Sequence, residues 1–430
     1  MESIFDAAEY ALQELKAAGA EAGRCQLDQG VVNEFKTDAG ELSMLRTARH
    51  ENAQLTALVG GKKGSALTSD LSRDSLRQAA ARAVDSANAA PDTQAELGPV
   101  LQKTFQAGEL VCNREALYRR TQELLQEVKE RYPLVSLNIY SAAHRENHSL
   151  YADSNGTRVC YDTGVYTLFP SFSASQNGVT SSFNAFRCKM NDLSRPFMDI
   201  GLARMLIAQS EKQIYPQTFR GKFTGQVLFA PFCLSGFLNS IVERCAGDHG
   251  MLSKTSPWRS KLGQQVSDAG ISLDIVPLDP RIAAGERLTT DGYISENYTL
   301  IEDGVLKCFA VSRQGARATG CAPAPNTSRS LLLKCGKYTL DELVQGIERG
   351  MLVTRFSGTG PNVNGEFSGV AKNGFLIENG KITDAVSECM ISGNFLQMLA
   401  QGGRFGNEYI CDGNDILPWA VFGGVTLSGK

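Results

Sequence analysis

The chain has 430 residues, 42% of them hydrophobic and 21% charged, a balance that predicts two or three packed cores and excludes a disordered chain. A formal net charge of -3, with no basic run longer than Lys62-Lys63, excludes the footprint of a dedicated nucleic-acid binder. Eleven cysteines stand singly with no C-x-x-C pair, which argues against a disulfide framework or a zinc ribbon and predicts reduced, mostly buried side chains.

Met1-Glu2-Ser3 opens an acidic amphipathic segment instead of a basic and then apolar leader, so the cytoplasm is the expected location. Residues 3–19 read as an amphipathic helix stopped by Gly19. Alternation around Cys25-Gln26-Leu27 and Leu55–Val59 predicts strands, with a turn over residues 60–64. Asp70 and Ser72 cap a second helix from Leu76 to Ala89, and Pro91 to Pro99 reads as a polar linker. A third helix spans Arg114 to Glu130 and stops near Pro133. Strand alternation then covers Val135–Tyr140, Ser154-Asn155-Gly156 predicts a hairpin with a type I′ turn, and strand texture continues to about Phe186. A further helix is expected over Asp199–Gln213.

From Gly221 onward short strands and glycines dominate. The longest apolar stretch, Val227 to Leu238, is broken by Pro231, Ser235 and Gly236 and is shorter than the ~20 residues of a membrane-spanning helix. Leu300–Leu306 and Leu376–Ile382 both place Asp-Gly or Asn-Gly between apolar alternations, so both read as tight hairpins, and their likeness raises an internal duplication. Thr339 and Glu342 have capping-box spacing and open a helix expected to end near Gly350. The expected class is α+β, with N-terminal α/β domains on mixed sheet and a mainly β C-terminal domain. The expected divisions are 1–95, 110–215 and 221–430.

Several patterns imitate active sites. His144 and His148 are spaced i, i+4, but the glutamate between them sits at the wrong offset for H-E-x-x-H, and the context is a strand leading into a hairpin. The Gly60–Gly64 run lacks the Lys-Ser/Thr pair of a phosphate-binding loop, and Gly358-Thr359-Gly360 lacks the strand-to-helix context of a dinucleotide fingerprint. Only His50, His144, His148 and His249 could serve a nucleophile as base. His249 lies near Cys245 in sequence, and no G-x-S-x-G elbow occurs.

Three strings are more specific. Gly61-Lys62-Lys63-Gly64-Ser65-Ala66-Leu67-Thr68-Ser69-Asp70-Leu71 resembles the N-terminal signature of the TldD/PmbA (TldE) protease family. Gly365-Glu366-Phe367-Ser368 through Gly374–Gly380, and Ile391-Ser392-Gly393-Asn394 through Leu399, are similar to its two C-terminal signatures, and Ile301–Gly304 followed by Ser312-Arg313 also fits. The strings cover nearly the whole chain in the family's order.

The resemblance implies a protease assembled from two related subunits, in which the TldD-type subunit binds zinc through H-E-x-x-x-H on a helix and a cysteine near the C-terminus. The comparable stretch here is Leu238–Arg244. Asn239 and Ser240 stand where histidine and glutamate are needed, and Arg244, which offers no lone pair, stands at the second histidine. Cys411 lies where the third ligand is expected, as a remnant with a packing role.

The implied role is therefore a metal-free subunit. It has no catalytic residue or cofactor of its own; zinc belongs to a TldD-type partner, and an unfolded peptide is the shared substrate, held by strand addition. The isolated chain could be a homodimer, with neither membrane nor direct nucleic-acid contact. Two alternatives stay open: a regulatory binding protein of the DNA gyrase modulator type, and an independent homodimeric Ser or Cys hydrolase.

Overall fold

The computed structural model describes residues 3–38, 41–387 and 389–429. Helix α1 (Ile4–Ala17) starts on a reciprocal capping box: Ser3 Oγ accepts from Asp6 N while the Asp6 carboxylate accepts from Ser3 N. It leads into a meander of β1 (Ala22–Asp38), β2 (Glu41–Val59) and β3 (Lys62–Thr68). Helix α2 (Arg73–Ala89) follows, capped by Ser72. Then come β4 (Gln102–Gly108), α3 (Arg114–Arg131), β5 (Val135–Asp153), β6 (Arg158–Gln176) and α4 (Ala203–Lys212).

These strands form one mixed sheet in the order β3-β2-β1-β5-β6-β4, antiparallel except where β4 runs parallel to β6. The segments 1–95 and 110–215 therefore meet in a single sheet along the β1–β5 ladder, from Arg24 opposite Asp153 to Thr37 opposite Tyr140. Two cores flank the sheet, and each draws residues from both segments, Leu150 in the first and Phe35 in the second. The alanine-rich faces of α1 and α2 pack on Leu27, Leu55 and Leu150, whereas α3 and α4 enclose Tyr140, Tyr166 and Phe172.

Strands from Gln217 to Ser428 build a ten-stranded sheet and a separate six-stranded sheet. In the larger one, Lys222–Phe229 pairs parallel with Arg349–Val353 and antiparallel with Ala420–Ser428. Helix α5 (Pro231–Ile241) follows the first of these strands at once, because Pro231 fits the N1 position, where no amide is needed. Its Phe237 fills the centre of the C-terminal core, with ring centroids 4.9–5.3 Å from those of Phe229, Phe356, Phe367 and Phe395.

Several expectations change in detail. The hairpin at 154–156 exists, but the positive φ falls on Gly156 (+99°) and not on Asn155. The turn is held by Gly156 N donating to Asp153 O and by Asp153 Oδ1 accepting from Asn155 N and Thr157 N, so it is not type I′. The turn at 60–64 is confined to Gly60 and Gly61, and Lys62 already belongs to β3.

The helix expected over 199–213 is a short 3-10 turn at Phe197–Asp199 followed by α4, because Gly201 (φ +55°) breaks the run. The helix opened by the Thr339–Glu342 capping box ends at Gln345, since Gly350–Val353 are buried as strand. Both Asp303-Gly304 and Asn379-Gly380 have positive φ at both residues, as type I′ hairpins require. The two hairpins lie in different sheets, so their likeness is that of a common turn and not of a repeated position. Polar β4 was not anticipated at all: its seven residues carry little apolar alternation, and only pairing with β6 makes them a strand.

Candidate functional site

The 239–244 stretch occupies the end of α5, where the helix opens into a π turn over Val242–Ala246 before resuming at Asp248–Leu252. Gly247 N donates to Val242 O (2.7 Å) in the i→i+5 pattern. An ideal α-helix would hold residues five apart about 140° from each other; a π turn narrows that angle. The backbone is thus shaped for an i, i+5 pair even though the residues there are Asn239 and Arg244.

The side chains are engaged otherwise. Asn239 Nδ2 donates to Ser235 O (3.1 Å) and Ser235 Oγ (3.4 Å), while Asn239 Oδ1 is buried without a donor. Ser240 Oγ donates back to Gly236 O (2.8 Å). Arg244 makes no hydrogen bond or ion pair among the described residues, and its neighbour Glu243 pairs with Arg329. Cys411 Sγ donates to Arg281 O (3.4 Å) and accepts from Gly413 N (3.3 Å), and burial pushes its thiol pKa up. None of these contacts involves residues 239–244.

For a zinc ion the donor set fails: one amide and one hydroxyl bound within their own helix, one guanidinium, and a thiol held elsewhere. Among the described residues, no group of three or more His, Cys, Asp or Glu side chains is arranged to hold a metal ion.

Ser235 and Asp415 form the most perturbed pair near the helix, and neither was singled out from sequence. Ser235 Oγ donates to Asp415 Oδ2 (2.5 Å), and Leu331 N donates to Asp415 Oδ1 (2.8 Å). Burial pushes the Asp415 carboxyl up to about 6, against the lowering effect of those two bonds. The available signals were slight: Ser235 lies one helical turn before Asn239, and Asp415 lies four residues after Cys411. The contact closes over a chain separation that no local pattern encodes.

The false sites resolve simply. His144 and His148 both lie on β5. The His144 ring is buried, with Nε2 2.6 Å from Glu109 O, and burial lowers its pKa. His148 sits between Asp162 (3.0 Å) and Glu146 (3.1 Å), and its pKa is raised first by the bond to Asp162. His50 contacts Asn147. Cys245 is fully buried, with its thiol pushed up to about 12, and His249 is exposed without a bond to it. Gly358-Thr359 belong to an edge strand, Arg355–Thr359, not to a nucleotide loop.

The specific strings prove to be connections. Lys63 reaches Asp291 of the C-terminal half (3.8 Å), as does Arg24 (3.0 Å). Gly64 lets α2 approach so closely that a Cβ would stand 2.0 Å from Ala87 N, and Asp70 accepts from the hydroxyls of Ser72 and Ser75 at the cap of α2. The two C-terminal strings hold each other: Phe395 N donates to Gly365 O (2.7 Å), and Asn394 Nδ2 to Asn364 O (2.9 Å).

Comparison with known proteins agrees with this arrangement. A family described as the PmbA/TldA metallopeptidase C-terminal domain matches residues 221–429, and its domain 1 matches residues 29–87. The chain is 23% identical over 394 residues to metalloprotease PmbA of Escherichia coli O157:H7, covering 87% of this chain and 82% of that protein. It is 24% identical over 366 residues to a PmbA homologue of Haemophilus influenzae, covering 80% and 78% respectively. The fold matches TldE from Thermococcus kodakarensis with a TM-score of 0.82 at 16% identity, over 98% of this chain and 100% of that one. It also matches a Bacteroides thetaiotaomicron protein named as a DNA gyrase modulator, with a TM-score of 0.84 at 21% identity and full coverage of both.

Proposed function

Because the chain belongs to the PmbA/TldD metallopeptidase family, we propose that it is the zinc-free subunit of a two-subunit peptidase whose metal sits in a TldD-type partner. The observation that carries this reading is the helix end at 239–244. It keeps the π turn suited to an i, i+5 pair, yet it presents an amide, a hydroxyl and a guanidinium. A shape without ligands fits a subunit that completes a chamber and leaves hydrolysis to its partner.

Peptide holding is supported by the strand Arg355–Thr359. It ends the ten-stranded sheet with one backbone edge unpaired, and a Cβ added at the following Gly360 would meet Ser240 Oγ at 3.2 Å. An extended, unfolded peptide added to that edge gains main-chain hydrogen bonds with little dependence on sequence. It would then pass beside the end of α5.

The test is reconstitution. The purified chain should hold no stoichiometric zinc and cleave no unfolded peptide; mixed with a zinc-bearing TldD-type subunit it should form a complex whose activity a chelator abolishes. Tight zinc in the isolated chain, or cleavage by it alone, would overturn the proposal. The gyrase-modulator reading rests on the names of two structural neighbours, from Bacteroides thetaiotaomicron and Thermotoga maritima. Recovery of topoisomerase subunits without a zinc peptidase in a native pull-down would favour it. An independent hydrolase has less support, since neither Cys245 nor Ser235 bonds to a histidine among the described residues.

A further inference from the structure

A polar cleft of about 490 Å³ opens where the N-terminal and C-terminal halves meet, a size typical of small-ligand sites. Lys189, Asn191 and Arg195 line it from one half, and Arg281, Tyr409 and Cys411 from the other. Its seam is built by backbone approach. Lys189 N donates to Asp412 O (2.7 Å), and a Cβ at Gly413 (φ +82°) would stand 2.1 Å from Lys189 O, so only glycine allows the two chains to come this close.

The charges in the cleft do not cancel. Three cations face it against one lining carboxylate, Asp192, which accepts from Ser194 N. Arg281 is committed to Asp279 through Nε (2.9 Å) and Nη2 (2.8 Å). Arg195 donates only to the backbone oxygen of Asp199, and Lys189 is half-buried with no partner for Nζ; neither forms an ion pair among the described residues. Cations gathered in a cleft without counter-ions favour a bound anion.

Asn191 Nδ2 donates to Pro280 O (3.2 Å), which leaves Asn191 Oδ1 buried with no donor. Buried orphan acceptors are uncommon and cost about 1–3 kcal/mol when left unmade. That atom has no surface open to the cleft, so Asn191 serves to tie the two walls together, and Lys189 and Arg195, which line it, complement a carboxylate.

We propose that this cleft is a carboxylate-binding subsite for a peptide, with Lys189 and Arg195 holding the carboxylate. The choice of a peptide as ligand rests on the peptide-holding reading above; the anion preference rests only on the cleft. The carboxylate can be a peptide's C-terminus or an acidic side chain.

Fluorescence anisotropy on the full chain separates these sources, using one labelled unfolded peptide in four forms: free or amidated C-terminus, each with aspartate or asparagine at an internal position. At low salt, removing the recognised carboxylate should weaken binding at least about tenfold, as expected for charge-assisted hydrogen bonds. Lys189→Ala and Arg195→Ala should each shrink that preference about fivefold or more while leaving the uncharged form's affinity unchanged. An unchanged circular dichroism spectrum and melting temperature show that the variants fold.

Equal affinity for all four forms, no binding of any form, or equal loss for charged and uncharged forms would overturn the subsite. Carboxylate preference without activation of a zinc-bearing partner would leave the subsite standing and remove only the peptidase-subunit reading.

Discussion

One segment matches a family signature and another lacks the residues the family comparison expects, and the two behave oppositely. Across Lys62–Ser75 the specific side chains find partners inside the molecule: Lys63 on Asp291, Asp70 on Ser72 and Ser75, Thr56 on Ser65. Across Asn239–Arg244 they do so only in part. Asn239 Nδ2, Ser240 and Glu243 have partners, but Asn239 Oδ1 is buried without a donor, Arg244 is unpaired among the described residues, and the helix departs from α geometry. Internal satisfaction is the mark of residues that hold a fold together, whereas orphaned polar atoms and a π turn on a buried helix mark a place shaped for something outside the chain. The first segment thus belongs to the scaffold, whereas the second is the place on which the proposed zinc-free role rests.

That contrast can be broken most directly at Asp291. Its carboxylate compensates Arg24, whose side chain is only 9% exposed, and also Lys63. Asp291→Ala strands a buried guanidinium and should cost about 4 kcal/mol in a urea titration; a loss below about 1 kcal/mol would show that the two halves are not joined there.

Gly64→Ala comes next. Its Cβ would overlap the α2 backbone at Ala87, and the displacement should cost about 2 kcal/mol with secondary structure retained.

Asp415 gives a pH signature of comparable size. Its folded-state pKa is raised from 3.8 to about 6 by burial. Between those values the folded chain therefore binds more protons than the unfolded one. Stability should fall as pH rises from about 4 to about 6 and stay level above, a swing of about 3 kcal/mol from this group. Asp415→Asn can keep the bonds to Leu331 N and Ser235 and should remove that slope in melts taken across the window.

Smallest of all, Asn239→Ala should cost under about 1 kcal/mol, because the amide's acceptor is already unsatisfied. A loss of 3 kcal/mol or more would place Asn239 with the scaffold and erase the contrast.

Much of the fold was legible because it is local. The Ser72 cap, the Thr339–Glu342 capping box and the two Asp/Asn-Gly hairpins are written within a few residues and appear where expected. Legibility ended where distant pairing decides. Polar β4 becomes a strand only against β6, and the helix expected to run to about Gly350 stops at Gln345 because the Lys222–Phe229 strand takes Gly350–Val353 into its sheet. The same limit applies to the candidate site. Asn239, Ser240 and Arg244 could be placed on a helix from spacing, but Ser235 meets Asp415 across 180 residues, and Lys189 meets Gly413 across more than 200.

By itself the sequence determined the α+β class, the family and the identity of the residues at the 239–244 positions, since turn, cap and ligand chemistry belong to side-chain types at short spacing. Tertiary structure alone decided that the first two segments share one sheet, that Lys63 serves as a clasp, and that Cys411 is bonded away from residues 239–244. The physical reason is that burial, charge compensation and hydrogen-bond satisfaction are properties of neighbours in space, and a chain acquires those only when its long-range strands have paired.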